Sequence, residues 1–92
     1  MSGTPIEIGG AMTLDGATSV LQAGRNALAA GTGDAVFDLG GVKAVDSAGL
    51  AVVFAWLREA HAAGRKLVFT RPPQQLLSLA AVYGVSDMLP LA

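Results

Sequence analysis

The sequence has no cysteine, one histidine and one tryptophan, and only 14% of its 92 residues are charged. Without cysteine there are no disulfides and no thiolate metal ligands, and the redox compartment stays open. The shortage of charge says more. An average domain carries about 25% charged residues, whereas 52% of this chain is hydrophobic. So few charges cannot cover a domain surface in the usual way. Either the surface is rich in Ala and Gly, or part of it is covered by another chain. The formal net charge of -1 comes without any basic stripe, which excludes the usual footprint of a nucleic-acid partner. Long apolar runs are missing too. The longest, Ala48 to Leu57, falls short of the roughly 20 residues that a bilayer-spanning helix needs. Met1 to Gly10 lacks the basic start and apolar core of a signal peptide. We therefore expect a cytoplasmic protein that meets a membrane only through a partner.

What is present is enough for one domain. Residues 1–5 read as a flexible N-terminus and 6–92 as the domain. Ile6-Glu7-Ile8 alternates as a half-buried strand does, Gly9-Gly10 is a hairpin signal, and Ala11 to Leu14 alternates again and is expected to pair back. From Ser19 to Leu28 apolar residues recur at helical spacing, and Gly31-Thr32-Gly33 stops the helix. Ala35 to Leu39 reads as a buried central strand. A long helix follows from about Ser47 to Ala63, then a strand over Lys66 to Thr70 and a helix over Gln74 to Tyr83. Val85 to Leu91 is a tail with a possible edge strand. Strands alternating with helices predict an α/β fold. We expect a mixed four- to five-stranded sheet with helices mainly on one face.

The chain is organised around the joint Val42-Lys43-Ala44-Val45-Asp46-Ser47-Ala48-Gly49-Leu50. Here an acid and a hydroxyl sit where the second helix begins. The first turn of a helix has backbone amides without internal partners, so Asp46 or Ser47 serves as an N-cap. Ser47 is in addition a candidate for partner contact or phosphorylation. A phosphate there gains from the helix dipole and adds negative charge beside Asp46.

Along this helix the stripe Leu50, Val53, Phe54, Leu57 and His61 reads as the core face. The opposite face then carries Ala48, Val52, Ala55, Trp56 and Glu59. With Asp46 and Ser47 these form the expected partner-binding surface, because Trp is enriched at interface hot spots. The alternative is that Trp56 packs sideways onto the first or third helix.

Enzyme chemistry is not expected. The nucleophile elbow Gly-x-Ser-x-Gly would need glycine where Val45 stands. His61 lies about 20 Å from Ser47 along one helix axis, at 1.5 Å per residue, so it cannot serve that hydroxyl. Gly40-Gly41 and the following residues lack the lysine and the glycine spacing of a phosphate-binding loop. No cofactor and no metal is expected.

At Asp38-Leu39, at Val45-Asp46-Ser47-Ala48-Gly49-Leu50-Ala51 and at Leu79-Ala80-Ala81-Val82-Tyr83-Gly84-Val85 the chain resembles the STAS domain family. That family includes bacterial anti-sigma factor antagonists and the cytoplasmic STAS subunit of Mla-type phospholipid ABC transporters. The resemblance implies a mixed sheet with helices on one side, and it matches Ser47 to the family's Ser or Thr at the start of the second helix. In the antagonists that hydroxyl is phosphorylated by a partner kinase. In the Mla subunit it lies in the surface that binds the transporter's ATPase. The run from Leu76 to Val85, followed by Met88-Leu89-Pro90, favours the Mla-like branch. The loop Gly16-Ala17-Thr18-Ser19 lacks the acids found in many members. The implied function is a non-enzymatic regulatory or assembly subunit that binds the ATPase subunit of a lipid transporter. The alternative is an anti-sigma factor antagonist, with an anti-sigma factor kinase as partner and Ser47 as its switch.

Overall fold

The structure is a computed structural model and describes residues 4–92. The first three residues of the expected flexible N-terminus lie outside the described residues. The elements are β1 (Ile6–Glu7), β2 (Gly10–Met12), α1 (Ala17–Ala29), β3 (Ala35–Asp38), β4 (Val42–Val45), α2 (Ser47–Ala62), β5 (Leu67–Thr70), α3 (Gln74–Val82) and a single 3₁₀ turn, η1 (Ser86–Met88). The fold is α/β, with the strands in two parallel sheets ordered β1-β3-β5 and β2-β4.

The expected N-terminal hairpin does not form. β1 and β2 do not pair with each other. β1 runs parallel to β3, with Ile6 opposite Phe37, and β2 runs parallel to β4, with Met12 opposite Val45. Gly9-Gly10 makes a jog rather than a reversal. The Ile8 amide donates to the Asp38 carbonyl at 3.0 Å, and the Gly10 amide donates to the Gly41 carbonyl at 3.4 Å. Gly10 takes a φ of 101°, which glycine adopts without penalty. A Gly-Gly pair permits either path, and the choice was made by partners some thirty residues away. Leu14, expected in a strand, is 78% exposed. The joint itself contains a strand, β4, although Lys43 interrupts its short apolar pattern.

In parallel register, residues opposite one another share a sheet face. Ile6, Phe37 and Phe69 therefore point one way, and Glu7, Asp38 and Thr70 the other. The first face carries the core. Phe37 and Phe69 are buried and meet edge to face with centroids 6.2 Å apart. Trp56 of α2 completes the cluster, 5.2 Å from Phe37 at 86°. On the other face Asp38 is gripped by Arg71, whose Nε and Nη2 reach its two oxygens at 2.9 and 2.8 Å. Arg71 holds a positive φ of 51°, the one non-glycine among the described residues to do so. Its guanidinium lies over Gly40, where an added Cβ would meet Cζ at 2.5 Å.

The tail closes the outer edge of β5. The Phe69 amide donates to the Pro90 carbonyl at 2.9 Å, and the Ala92 amide donates to the Phe69 carbonyl at 2.8 Å. An edge strand with open amides invites foreign pairing, and this contact removes that opportunity. Arg65, just past the end of α2, reaches across to the C-terminal end of α1 and the loop after it. It donates to the carbonyls of Leu28 at 2.7 Å and Gly33 at 2.8 Å. It thereby satisfies a terminal acceptor of a different helix.

Candidate functional site

The joint folds as a cap built from its own aspartate. Asp46 is the N-cap of α2, in extended conformation, and its Oδ1 accepts from the Ala48 amide at 2.8 Å. Its Oδ2 accepts from the Leu14 amide at 3.0 Å, and its own amide donates to the Met12 carbonyl at 3.1 Å. One carboxylate therefore ties the start of α2 to the loop that leads into α1. Because Asp46 performs the capping, Ser47 is left as the first helical residue, and it is exposed. Gly49 is buried, and a Cβ there would meet Met12 Cβ at 2.8 Å. The motif glycine thus lets α2 sit close on β2.

The expected contact face of α2 is corrected. Trp56 has no exposed surface and Val52 is 4% exposed. The indole N–H donates to the Leu21 carbonyl of α1 at 3.1 Å. Glu59 is bound to Arg25 of α1 at 2.5 Å. Ala48 and Ala55 are half-buried. The side of α2 read as outward is the side that α1 covers. Sequence reasoning placed the apolar axis of α2 off by roughly a quarter-turn, at 100° per residue. A helix apolar nearly all round gives a weak direction. Gly24 in the middle of α1 was the available signal, because a bare position there makes room for a large side chain opposite.

The free face of α2 carries Ser47, Ala51, Phe54, Leu57, Arg58 and His61. His61, read as a core residue, is exposed. Between this face and α3 with its following turn runs a trough of three linked hollows. The first, of about 480 Å³, is lined by Asp46, Ser47, Gln74, Ser78, Val82 and Tyr83 among others. The second, of about 430 Å³, continues over Leu50, Ala51 and Phe54, and shares Ser47 and Tyr83 with the first. The third, of about 760 Å³, is lined by Phe54, Leu57, Arg58, His61, Val85 and Met88. The Gln75 side chain fixes the floor at the Ser47 end, accepting from the Val45 amide at 3.1 Å. Val82 is 80% exposed, Met88 61% and Tyr83 57%. These are large apolar side chains on the trough's lip, where an isolated monomer would place polar ones.

Ser47 and His61 stand at opposite ends of α2, about 20 Å apart by the helical rise. Among the described residues there is no group of three His, Cys, Asp or Glu that could hold a metal. No helix among them is long and apolar enough to cross a membrane.

An α/β domain with a serine at the first position of its second helix is what the STAS resemblance implies. Residues 2–90 match the family described as "Mlab, STAS domain", and the chain belongs to that family. Among curated proteins it is similar to the intermembrane phospholipid transport system binding protein MlaB of Haemophilus influenzae, with 36% identity over 53 residues. The match covers 58% of this chain and 50% of that protein, so it spans about half the relative's length.

Proposed function

We propose that this chain is a non-enzymatic, cytoplasmic assembly subunit that docks on the ATPase subunit of an Mla-like lipid ABC transporter and holds that ATPase in its active form. The contact runs along the α2–α3 trough from Ser47. The observation that carries this reading is the trough itself. It begins at an exposed hydroxyl among polar side chains, becomes mostly apolar toward His61, and is rimmed by Val82, Tyr83 and Met88. The family match and the name of the Haemophilus influenzae relative, a component of a phospholipid transport system, support the choice of partner. Asp46 sets the angle of α2, and Ser47 offers a hydroxyl at the positive end of its dipole.

The experiment is a binding titration of the full chain with the purified Mla-type ATPase subunit encoded in the same genome. We expect a stable complex, and a loss of about 2 kcal/mol or more for Phe54→Asp, as at a buried interface anchor. Because Phe54 is only half-buried in the free domain, that variant is expected to keep the native circular dichroism. Recovery of an anti-sigma kinase in place of the ATPase would reverse the assignment in favour of an antagonist.

A further inference from the structure

The widest part of the trough has a cation on its lip. Arg58 is exposed, and among the described residues it makes no ion pair. Its neighbour Glu59 turns to the other flank of α2 and is held by Arg25. His61 lies on the same rim, and the walls between are Phe54, Leu57, Val85 and Met88. In a chain with so few charges, an unpaired guanidinium beside the widest of the trough's three hollows is a strong directional cue. An acid brought to it would be shielded from water by those walls, where a guanidinium–carboxylate bond is worth more than in solvent.

Resting on the docking reading above, we infer that the ATPase segment seated in this half of the trough is an amphipathic helix bearing an Asp or Glu that meets Arg58. That acid stands one turn from an apolar anchor that meets Phe54 and Leu57. The spacing follows from geometry. Phe54 and Arg58 are separated by four residues, about 6 Å along α2. A helix laid along the trough presents its own residues four apart at the same interval. The trough extends about 20 Å from Ser47 to His61, which suits a helix of several turns. The charge pair fixes which way along the trough the segment lies and in what register.

The test uses the full chain and the same ATPase subunit, with a photo-cross-linking residue in place of Leu57 to map the segment opposite. The expected cross-link falls on a helix with an acid one turn from the captured residue. Arg58→Glu should weaken binding by at least about 30-fold, as for the loss of a shielded charge pair. Reversing the mapped acid to lysine in the ATPase should restore most of that loss. Unchanged binding by Arg58→Glu, with Phe54→Asp still weakening it, would overturn the inference and leave the docking reading intact. Absence of any complex with the unaltered chain removes the docking reading itself. Capture of a second copy of this chain, or of lipid from phosphatidylglycerol vesicles, with no effect of Arg58→Glu, would also overturn the inference and assign the hollow to that occupant.

Discussion

The N–H side of the Trp56 indole sits against the bare α-carbon of Gly24. A Cβ built on Gly24 would come within 2.4 Å of Cε2 and 2.8 Å of Cδ1 of the indole. The missing side chain on α1 is thus the slot into which the largest side chain of α2 fits. This pair sets how closely the two helices approach, and so which face of α2 is left for the trough.

The first prediction follows directly. Gly24→Ala leaves helix propensity improved by about 1 kcal/mol, yet it forces either the indole or α1 to move. Overpacking of that kind costs about 1–3 kcal/mol, so the net change should be destabilising. Trp56→Ala should be worse, about 3–5 kcal/mol, out of the roughly 5–15 kcal/mol that such a domain has in total. Urea unfolding of both variants checks the order. A Trp56→Ala domain as stable as the parent would show that the indole is not the centre of the core.

Asp46→Ala removes one acceptor from two backbone donors, Ala48 and Leu14. Loss of an N-cap alone costs about 1 kcal/mol, with about 2 as the upper range, and the second orphaned amide should place this variant at the high end. Asp46→Asn retains a capping oxygen and should recover part of the loss. Chemical denaturation with amide exchange at Leu14 separates the two contributions, because only the loop contact protects that amide.

A third prediction concerns acid. The Arg71 guanidinium, with help from the Gly40 amide, holds the Asp38 carboxyl below its ordinary value of 3.8. A folded-state pKa lowered in this way adds stability above the unfolded value, and the gain is lost as pH falls through the folded value. The contribution should therefore be constant from neutral pH down to about 4 and fade below that. Arg71→Ala should flatten this part of the stability–pH curve, in melts taken between about pH 2 and 6. An unchanged slope would show that the ion pair does not hold in solution.

Ser47 gives the fourth. It is exposed and Asp46 does the capping, so Ser47→Ala should change stability by less than about 0.5 kcal/mol, as for an ordinary surface site. Ser47→Asp introduces charge at the mouth of an apolar trough, beside the Asp46 carboxylate. It should weaken ATPase docking about tenfold or more, since like charges and desolvation both oppose contact. Equal affinity of the two variants in a titration would end any role for Ser47 as a switch.

The parts of the fold legible in the sequence are those governed by local rules. The helix over Ser47 to Ala62 announced itself by an Asp-Ser start, a long apolar run and a glycine soon after its end. β3 and β5 were visible as short apolar runs between turn residues. The Gly9-Gly10 jog was not legible, because glycine permits a reversal and a crossing equally. Nor was the role of Gly49, which depends on the backbone of Met12 standing beside it.

By itself, the sequence determined that this would be a small α/β domain short of charge, with an acid and a hydroxyl at the mouth of its second helix. Those features depend on neighbours a few residues apart. Only the tertiary structure decided which side of that helix is free. Leu50, Val53, Phe54 and Trp56 are all apolar enough to be buried, and hydrophobicity has no direction of its own. The decision fell to Gly24, whose missing side chain draws the indole toward α1 and turns Phe54, Arg58 and His61 toward the open trough.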